Sequence, residues 1–226
     1  MPRIARVVVP DIPHHVTQRG NRRQPVFFRE QDYRLYLRLA AESCSRAGVS
    51  IWAYCLMPNH IHLIAVPSSS DGLREALGET HRRYTCHVNL RMKWTGYLWQ
   101  GRFASFPMDE PHLLAAARYV ELNPVKAGLV QRPEDYAWSS ARAHLLGRDD
   151  DLVRCAPLLD RFPDWADVLR TGTSDAESRS IESHARTGRP LGGAAFIERL
   201  ERITWRVLGP RKRGPKPRRH GVTVGI

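Results

Sequence analysis

Two apolar runs, Ile51 to Leu56 and His60 to Val66, are separated only by Met57-Pro58-Asn59, and this constrains the fold more than any other feature of the chain. Runs of that length around a Pro-Asn turn read as the two arms of a β-hairpin. Strand side chains alternate between faces. On the second arm, His60 and His62 therefore point to one side of the sheet, and Ile61 and Leu63 to the other. Both imidazoles then reach one site. Taken alone, the triplet fits two ordinary strand histidines as well as two metal ligands, so its meaning depends on what lies opposite.

The flanking segments suggest what that is. His15-Val16-Thr17-Gln18 reads as a short strand ending in the loop Arg19-Gly20-Asn21-Arg22-Arg23. Between Gln31 and Ala47, residues Tyr33, Tyr36, Leu37, Ala40 and Cys44 recur at helical spacing, with Gly48 placed to end the helix. Asp71 can cap a second long helix whose Leu73, Ala76, Leu77, Tyr84 and Val88 face a core, while His81, Arg82, Arg83 and Arg91 lie on its other side. Leu98 to Phe106 reads as a strand, its alternation blurred by Gly101. A third helix follows Asp109, and Pro124 is expected to stop it, because the residue before a proline is pushed out of the helical region. Strand, helix, hairpin, helix, strand, helix predicts an α+β fold with helices on one face of an antiparallel sheet. The histidine face is then free for a further helix to cross.

The third helix carries suitable groups. Tyr119 and Asn123 are four residues apart and share one helical face, while Glu121 points away and reads as a solvated charge. Two imidazoles and an amide oxygen form a ligand set for a divalent metal, which polarises a phosphate oxygen while the phenol attacks phosphorus. A metal-free phosphodiesterase with paired H-x-[ST] motifs matches His15-Val16-Thr17, but fails at His62, which precedes Leu63-Ile64.

Charge narrows the partner. The 35 Lys+Arg against 23 Asp+Glu give a formal net charge of +12, which favours a polyanion such as nucleic acid. No apolar run approaches the roughly 20 residues of a spanning helix, so no membrane role is expected. The stretch around Val7-Val8-Val9 is too short for a signal peptide, and a cytoplasmic protein is expected. Cys44, Cys55, Cys86 and Cys155 lack the spacing of a zinc site or a disulfide framework. Arg19, Arg22 and Arg23 share one loop that can track phosphates, and Arg82, Arg83 and Arg102 either extend that surface or form a solvated face. Trp99 and Phe103 fit base stacking and core packing equally.

After Trp138-Ser139-Ser140 the composition shifts. The chain divides into a body at 1–145, a helical extension at 146–209 and a basic tail at 210–226. Helices are expected over Phe162 to Leu169, over Ser174 to Arg186 and around Phe196, Leu200, Ile203 and Val207. Two of them around a Gly-containing turn suit either a DNA-binding helix-turn-helix or a cover for the core. No acid follows Glu201, and the run containing Arg211, Lys212 and Arg213 reads as a basic arm on nucleic acid or as a solubilising tail.

Four strings carry a family resemblance: Met57-Pro58-Asn59-His60-Ile61-His62-Leu63, Trp99-Gln100-Gly101-Arg102-Phe103, the segment from Ala117 through Tyr119-Val120-Glu121-Leu122-Asn123-Pro124 to Val130, and Tyr136-Ala137-Trp138-Ser139-Ser140. In this order they resemble the REP-associated tyrosine transposases, relatives of insertion-sequence single-tyrosine transposases in the HUH endonuclease superfamily. The resemblance covers roughly residues 10 to 145. It implies a ferredoxin-like or RRM-like sheet, Mg2+ or Mn2+ as cofactor, and cleavage of single-stranded DNA through a 5'-phosphotyrosine at hairpins of repetitive extragenic palindromes. It also implies a bacterial, nucleoid-associated protein. By position, His60 and His62 would be metal ligands, Tyr119 the nucleophile and Asn123 a third ligand, where many relatives carry Gln. The rival expectation is the same fold binding hairpin DNA or structured RNA without chemistry, against which stand His60, His62 and Tyr119.

Overall fold

The computed structural model describes residues 4–209; the predicted basic arm with Arg211, Lys212 and Arg213 lies outside them. Four strands, β1 (His14–Arg19), β2 (Val49–Met57), β3 (His60–Pro67) and β4 (Ala104–Pro107), form one antiparallel sheet in the order β2-β3-β1-β4. The hairpin closes with Met57 opposite His60. Helices α1 (Glu30–Arg46) and α2 (Gly72–Met92) cover one face of the sheet, and α3 (Glu110–Lys126) crosses the other.

Alternation decides what each face holds. Val16, Ile61, Leu63 and Ala65 turn toward α1 and α2, where Tyr36, Leu39, Leu73, Leu77 and Tyr84 complete a sealed core. Ile64 and Phe106 turn the other way and meet Leu113, Ala116, Ala117 and Val120 of α3. A register shift between Ile51 and Ala53 in β2 resets that strand's alternation, which places Ile51 in the first core and Ala53 in the second. Asp109 starts α3 by accepting a hydrogen bond from the His112 backbone N–H.

Three local expectations are corrected. Pro124 does not stop α3, which runs on to Lys126. In the last turn a proline forfeits only one backbone hydrogen bond, and Pro124 is buried there. The strand expected from Leu98 shrinks to β4, because Gly101 takes φ +63 and turns the chain; Trp99 and Phe103 are core residues. Glu121 is not solvated. It is fully buried and accepts hydrogen bonds from Ser140 Oγ, His144 Nδ1 and Trp165 Nε1, the last at 2.8 Å. A buried carboxylate demands such partners, and this one ties α3 to the segments that follow it.

Those segments finish the body. Residues 136–140 run along the open edge of β2, where Tyr136 Oη donates to the Leu56 carbonyl at 2.8 Å and Ser140 N to the Tyr54 carbonyl at 3.0 Å. This removes a pairing edge. Beyond lie α4 (Ala141–Leu146), α5 (Ala156–Leu159), α6 (Trp165–Arg170), α7 (Asp175–Thr187) and α8 (Ala194–Thr204). Trp165, Leu169 and Ile181 extend the α3-side core, while Leu200 of α8 packs with Val7, Val9 and Leu208.

Candidate active site

The α3-side face is not covered along its whole length. Where β1 and β3 run past the end of the packed core, a cleft of about 500 Å3 opens between the sheet, α3 and α7. Its floor is His15 and Thr17 of β1 with His60 and His62 of β3, and Tyr119 of α3 overlooks it.

Register explains the floor. Thr17 is the direct partner of His62 and His15 that of Ile64, so His15 and His62 are diagonal neighbours on one face. His15 Nε2 and His62 Nδ1 share a hydrogen bond of 3.0 Å, with the rings stacked at 5.2 Å between centroids. His60 Nδ1 donates to Asn59 Oδ1 at 2.6 Å, which leaves its Nε2 as a bare lone pair. The Tyr119 ring stands edge-on to His62 at 5.4 Å and to His15 at 6.1 Å. His15 is thus a site residue that sequence reasoning considered only for another chemistry. Its period-two position on β1 was the available signal, and only the β1–β3 register shows that it meets His62.

The electrostatics follow from burial. His15 is pushed down to about 3 by desolvation. His60 is pushed down to about 4 by burial and by the nearby Arg19 charge. His62 is held well below its usual range by burial, then by His60, His15 and Arg19. All three are neutral at pH 7, the state in which an imidazole can ligate a metal. Burial raises the Tyr119 phenol above its ordinary value and Glu182 adds to this, while the Asn123 amide and Arg19 oppose it.

The remaining candidates separate. Arg19, Arg23 and Arg102 line the cleft. Gly20 makes this possible, since a Cβ there would stand 2.2 Å from the Gln24 carbonyl oxygen, and the tight turn brings Arg19 and Arg23 to one mouth. Arg22 is exposed in the same turn but outside the cleft wall. Arg82 pairs with Glu79 at 2.9 Å and Arg83 with Glu42 at 2.7 Å, on the helical layer behind the sheet, so these two belong to a solvated face. Asn123 is not on the cleft wall, and its Nδ2 donates to the Tyr119 carbonyl at 2.9 Å. Glu182 and Arg186 of α7 line the cleft without having been anticipated.

The donor set fits a divalent cation in part. The bare Nε2 of His60 is one neutral donor on this wall, and His62 Nε2 is a second when His62 Nδ1 donates the hydrogen bond to His15 Nε2. Among the described residues no group of three His, Cys, Asp or Glu is arranged to hold a metal. Further ligands would therefore be oxygens of Asn123, of substrate or of water.

Comparison with known proteins bears on what such a cleft serves. The family model described as "Transposase IS200 like" matches residues 8–123, just over half of the chain. Among solved structures, the chain is similar to a REP-associated tyrosine transposase bound to a REP hairpin, with 22% identity, 67% of this chain and 90% of that chain covered, and a TM-score of 0.55. A Deinococcus radiodurans R1 protein assigned as a transposase aligns with 21% identity over 53% of this chain and 95% of that one, with a TM-score of 0.37. Among curated proteins none matches.

Proposed function

Because the chain belongs to the IS200-like transposase family, we propose that it is a single-stranded DNA endonuclease and strand transferase that uses Tyr119 as its nucleophile. One observation carries this reading: Tyr119 stands over the neutral His15, His60 and His62 in an open cleft whose rim bears Arg19, Arg23 and Arg102. An arginine-rimmed cleft suits a phosphodiester, and a phenol beside it suits attack on phosphorus.

The arginines would hold the backbone and align the scissile phosphate with Tyr119. Attack forms the Tyr119 O–P bond and breaks the P–O3' bond. The phenol proton departs, and the leaving 3' oxygen takes up a proton to become a hydroxyl. The product is a 5'-phosphotyrosine, and a different 3'-hydroxyl can reverse the step and join strands without a nucleotide energy source. A phenol is protonated at pH 7 and burial raises this one further, so its proton must leave as the new bond forms. Mg2+ or Mn2+ held by His60 and His62 would supply positive charge at a phosphate oxygen. Asn123 would join them through its Oδ1, since only its Nδ2 is engaged with the Tyr119 carbonyl.

The substrate in this reading is hairpin DNA of the repetitive extragenic palindrome type, in keeping with the REP hairpin bound by the similar solved protein, and the cleaved strand is an unpaired flank of that hairpin. The catalytic body is residues 1–145, with the extension at 146–209 packed onto it. No helix among the described residues is long and apolar enough to cross a membrane; we place the protein in the bacterial cytoplasm, at the nucleoid. Non-catalytic hairpin binding has no observation that favours it over this assembled site.

The test is to incubate the protein with hairpin-flanked single strands and Mg2+ or Mn2+, and to look for a protein–DNA adduct. Wild type should form one, while Tyr119→Phe should form none and still bind the DNA. An adduct formed by Tyr119→Phe rules out the nucleophile assigned here.

A further inference from the structure

The family match ends at residue 123, yet part of the cleft wall comes from α7, more than fifty residues later. Ile181, Glu182, Ala185 and Arg186 form one stripe along that helix, with spacings of one and four residues. Ile181 is buried in the α3-side core, which fixes the rotation of the helix and turns the stripe into the cleft.

The helix is held firmly in this place. Ser174 and Glu177 form a reciprocal capping box at its start. Arg118, the residue before Tyr119, donates to Glu177 at 2.8 Å, and Lys126 Nζ donates to Ser178 Oγ at 3.1 Å. Phe106 of β4 lies against His184, with 5.8 Å between ring centroids. The same α3 that carries Tyr119 therefore carries two of the ties that position α7.

Charge then points to a ligand. The cleft wall carries Arg19, Arg23, Arg102 and Arg186 against Glu182 as its one carboxylate, an excess of three positive charges among the described residues with the histidines neutral. Many exposed arginines elsewhere are paired, as Arg74, Arg82, Arg132 and Arg170 are with nearby acids. Arg186 has no ion pair among the described residues, even with Glu182 one turn away. An exposed guanidinium carried on a firmly held helix, without a carboxylate partner, is suited to an anion with acceptor oxygens.

We propose that Arg186 binds a backbone phosphate of the unpaired DNA strand lying in the cleft, so that the C-terminal extension forms a working part of the substrate site. The proposal rests on the DNA-cleavage reading above. It assigns to α7 the task of holding the strand together with Arg19 and Arg23, which share the cleft wall with Tyr119.

The test compares full-length wild type, Arg186→Ala and Arg186→Lys by fluorescence anisotropy across a salt series, using a hairpin with an unpaired flank and the same hairpin without it. Arg186→Ala should weaken binding of the flanked DNA about tenfold. It should also reduce the slope of log affinity against log salt by about 0.7, the value of one single-strand phosphate contact. Arg186→Lys should restore most of that slope, the bare hairpin should bind as before, and the thermal midpoints should coincide. An unchanged slope in Arg186→Ala overturns the proposal. So does an equal loss on the bare hairpin, or a loss in both variants that tracks a fall in thermal midpoint. Wild type that binds neither DNA overturns the cleavage reading itself, and this assignment with it.

Discussion

The two faces of the sheet are built from the same strands and serve opposite ends. On the α1–α2 face, Val16, Ile61, Leu63 and Ala65 disappear beneath Tyr36, Tyr84 and Leu77, and the half-buried His81 shares a 3.0 Å hydrogen bond with Tyr36 Oη. On the α3 face, Ile64 and Phe106 are packed, but one residue pair further along the strands the cover stops, and His15, His60 and His62 face a cleft. Burial is deep on both sides, so exposure alone does not make a site. The cleft face differs in that its buried polar groups converge on an opening lined by arginines.

The contrast can be broken most strongly at the histidines. Replacing His60 and His62 together with Ala should lower metal-dependent cleavage by about a thousandfold, about 4 kcal/mol of barrier, with the secondary structure retained by circular dichroism. Unchanged cleavage would remove the metal from the site. One residue over, on the sealed face, Leu63→Ala should do the reverse: a loss of about 3 kcal/mol in unfolding free energy by denaturant titration, with turnover per folded molecule kept.

Acid should strain both faces, and the cleft face more. His15 and His81 are depressed to about 3 and His60 to about 4, against an ordinary value of 6.5. The unfolded chain then binds more protons than the folded one between these limits. Stability is complete above about pH 6.5 and falls with pH through the window by up to about 1.4 kcal/mol per pH unit for each histidine. Unfolding titrations at pH 7 and pH 5 measure this, and His81→Gln should flatten the dependence by one histidine without touching the cleft.

The smallest effect expected is at Glu182, whose charge helps hold the Tyr119 phenol protonated. Glu182→Gln should lower that phenol's pKa, so the rising limb of the cleavage rate against pH should move to lower pH, giving a gain of a few-fold at pH 7. A profile that does not move would detach Glu182 from the nucleophile.

Much of this contrast was legible in the sequence, for local reasons. Alternation along His60-Ile61-His62-Leu63 assigns each side chain to a face, and the spacing of Tyr119 and Asn123 places them on one side of α3. Non-local pairing escaped. Glu121 looked like a surface charge because its partners, Ser140, His144 and Trp165, are 19 to 44 residues away in the chain. For Arg82 and Arg83 the sequence left an extended basic surface and a solvated helix face both open, and only the fold pairs them with Glu79 and Glu42 on the layer behind the sheet. Asn123 shares the helical side of Tyr119, and its amide donates to the Tyr119 carbonyl and also bears on the Tyr119 phenol.

The hairpin around Met57-Pro58-Asn59 thus determined by itself that two imidazoles would share a face, because strand geometry has a period of two whatever surrounds it. What the fold alone decided is which groups stand against them. His15 arrives through the β1–β3 register, and Glu182 and Arg186 arrive through the docking of a helix more than a hundred residues downstream. Neither follows from local periodicity. Both depend on long-range packing, in which Ile181 and the Arg118–Glu177 pair settle where α7 comes to rest.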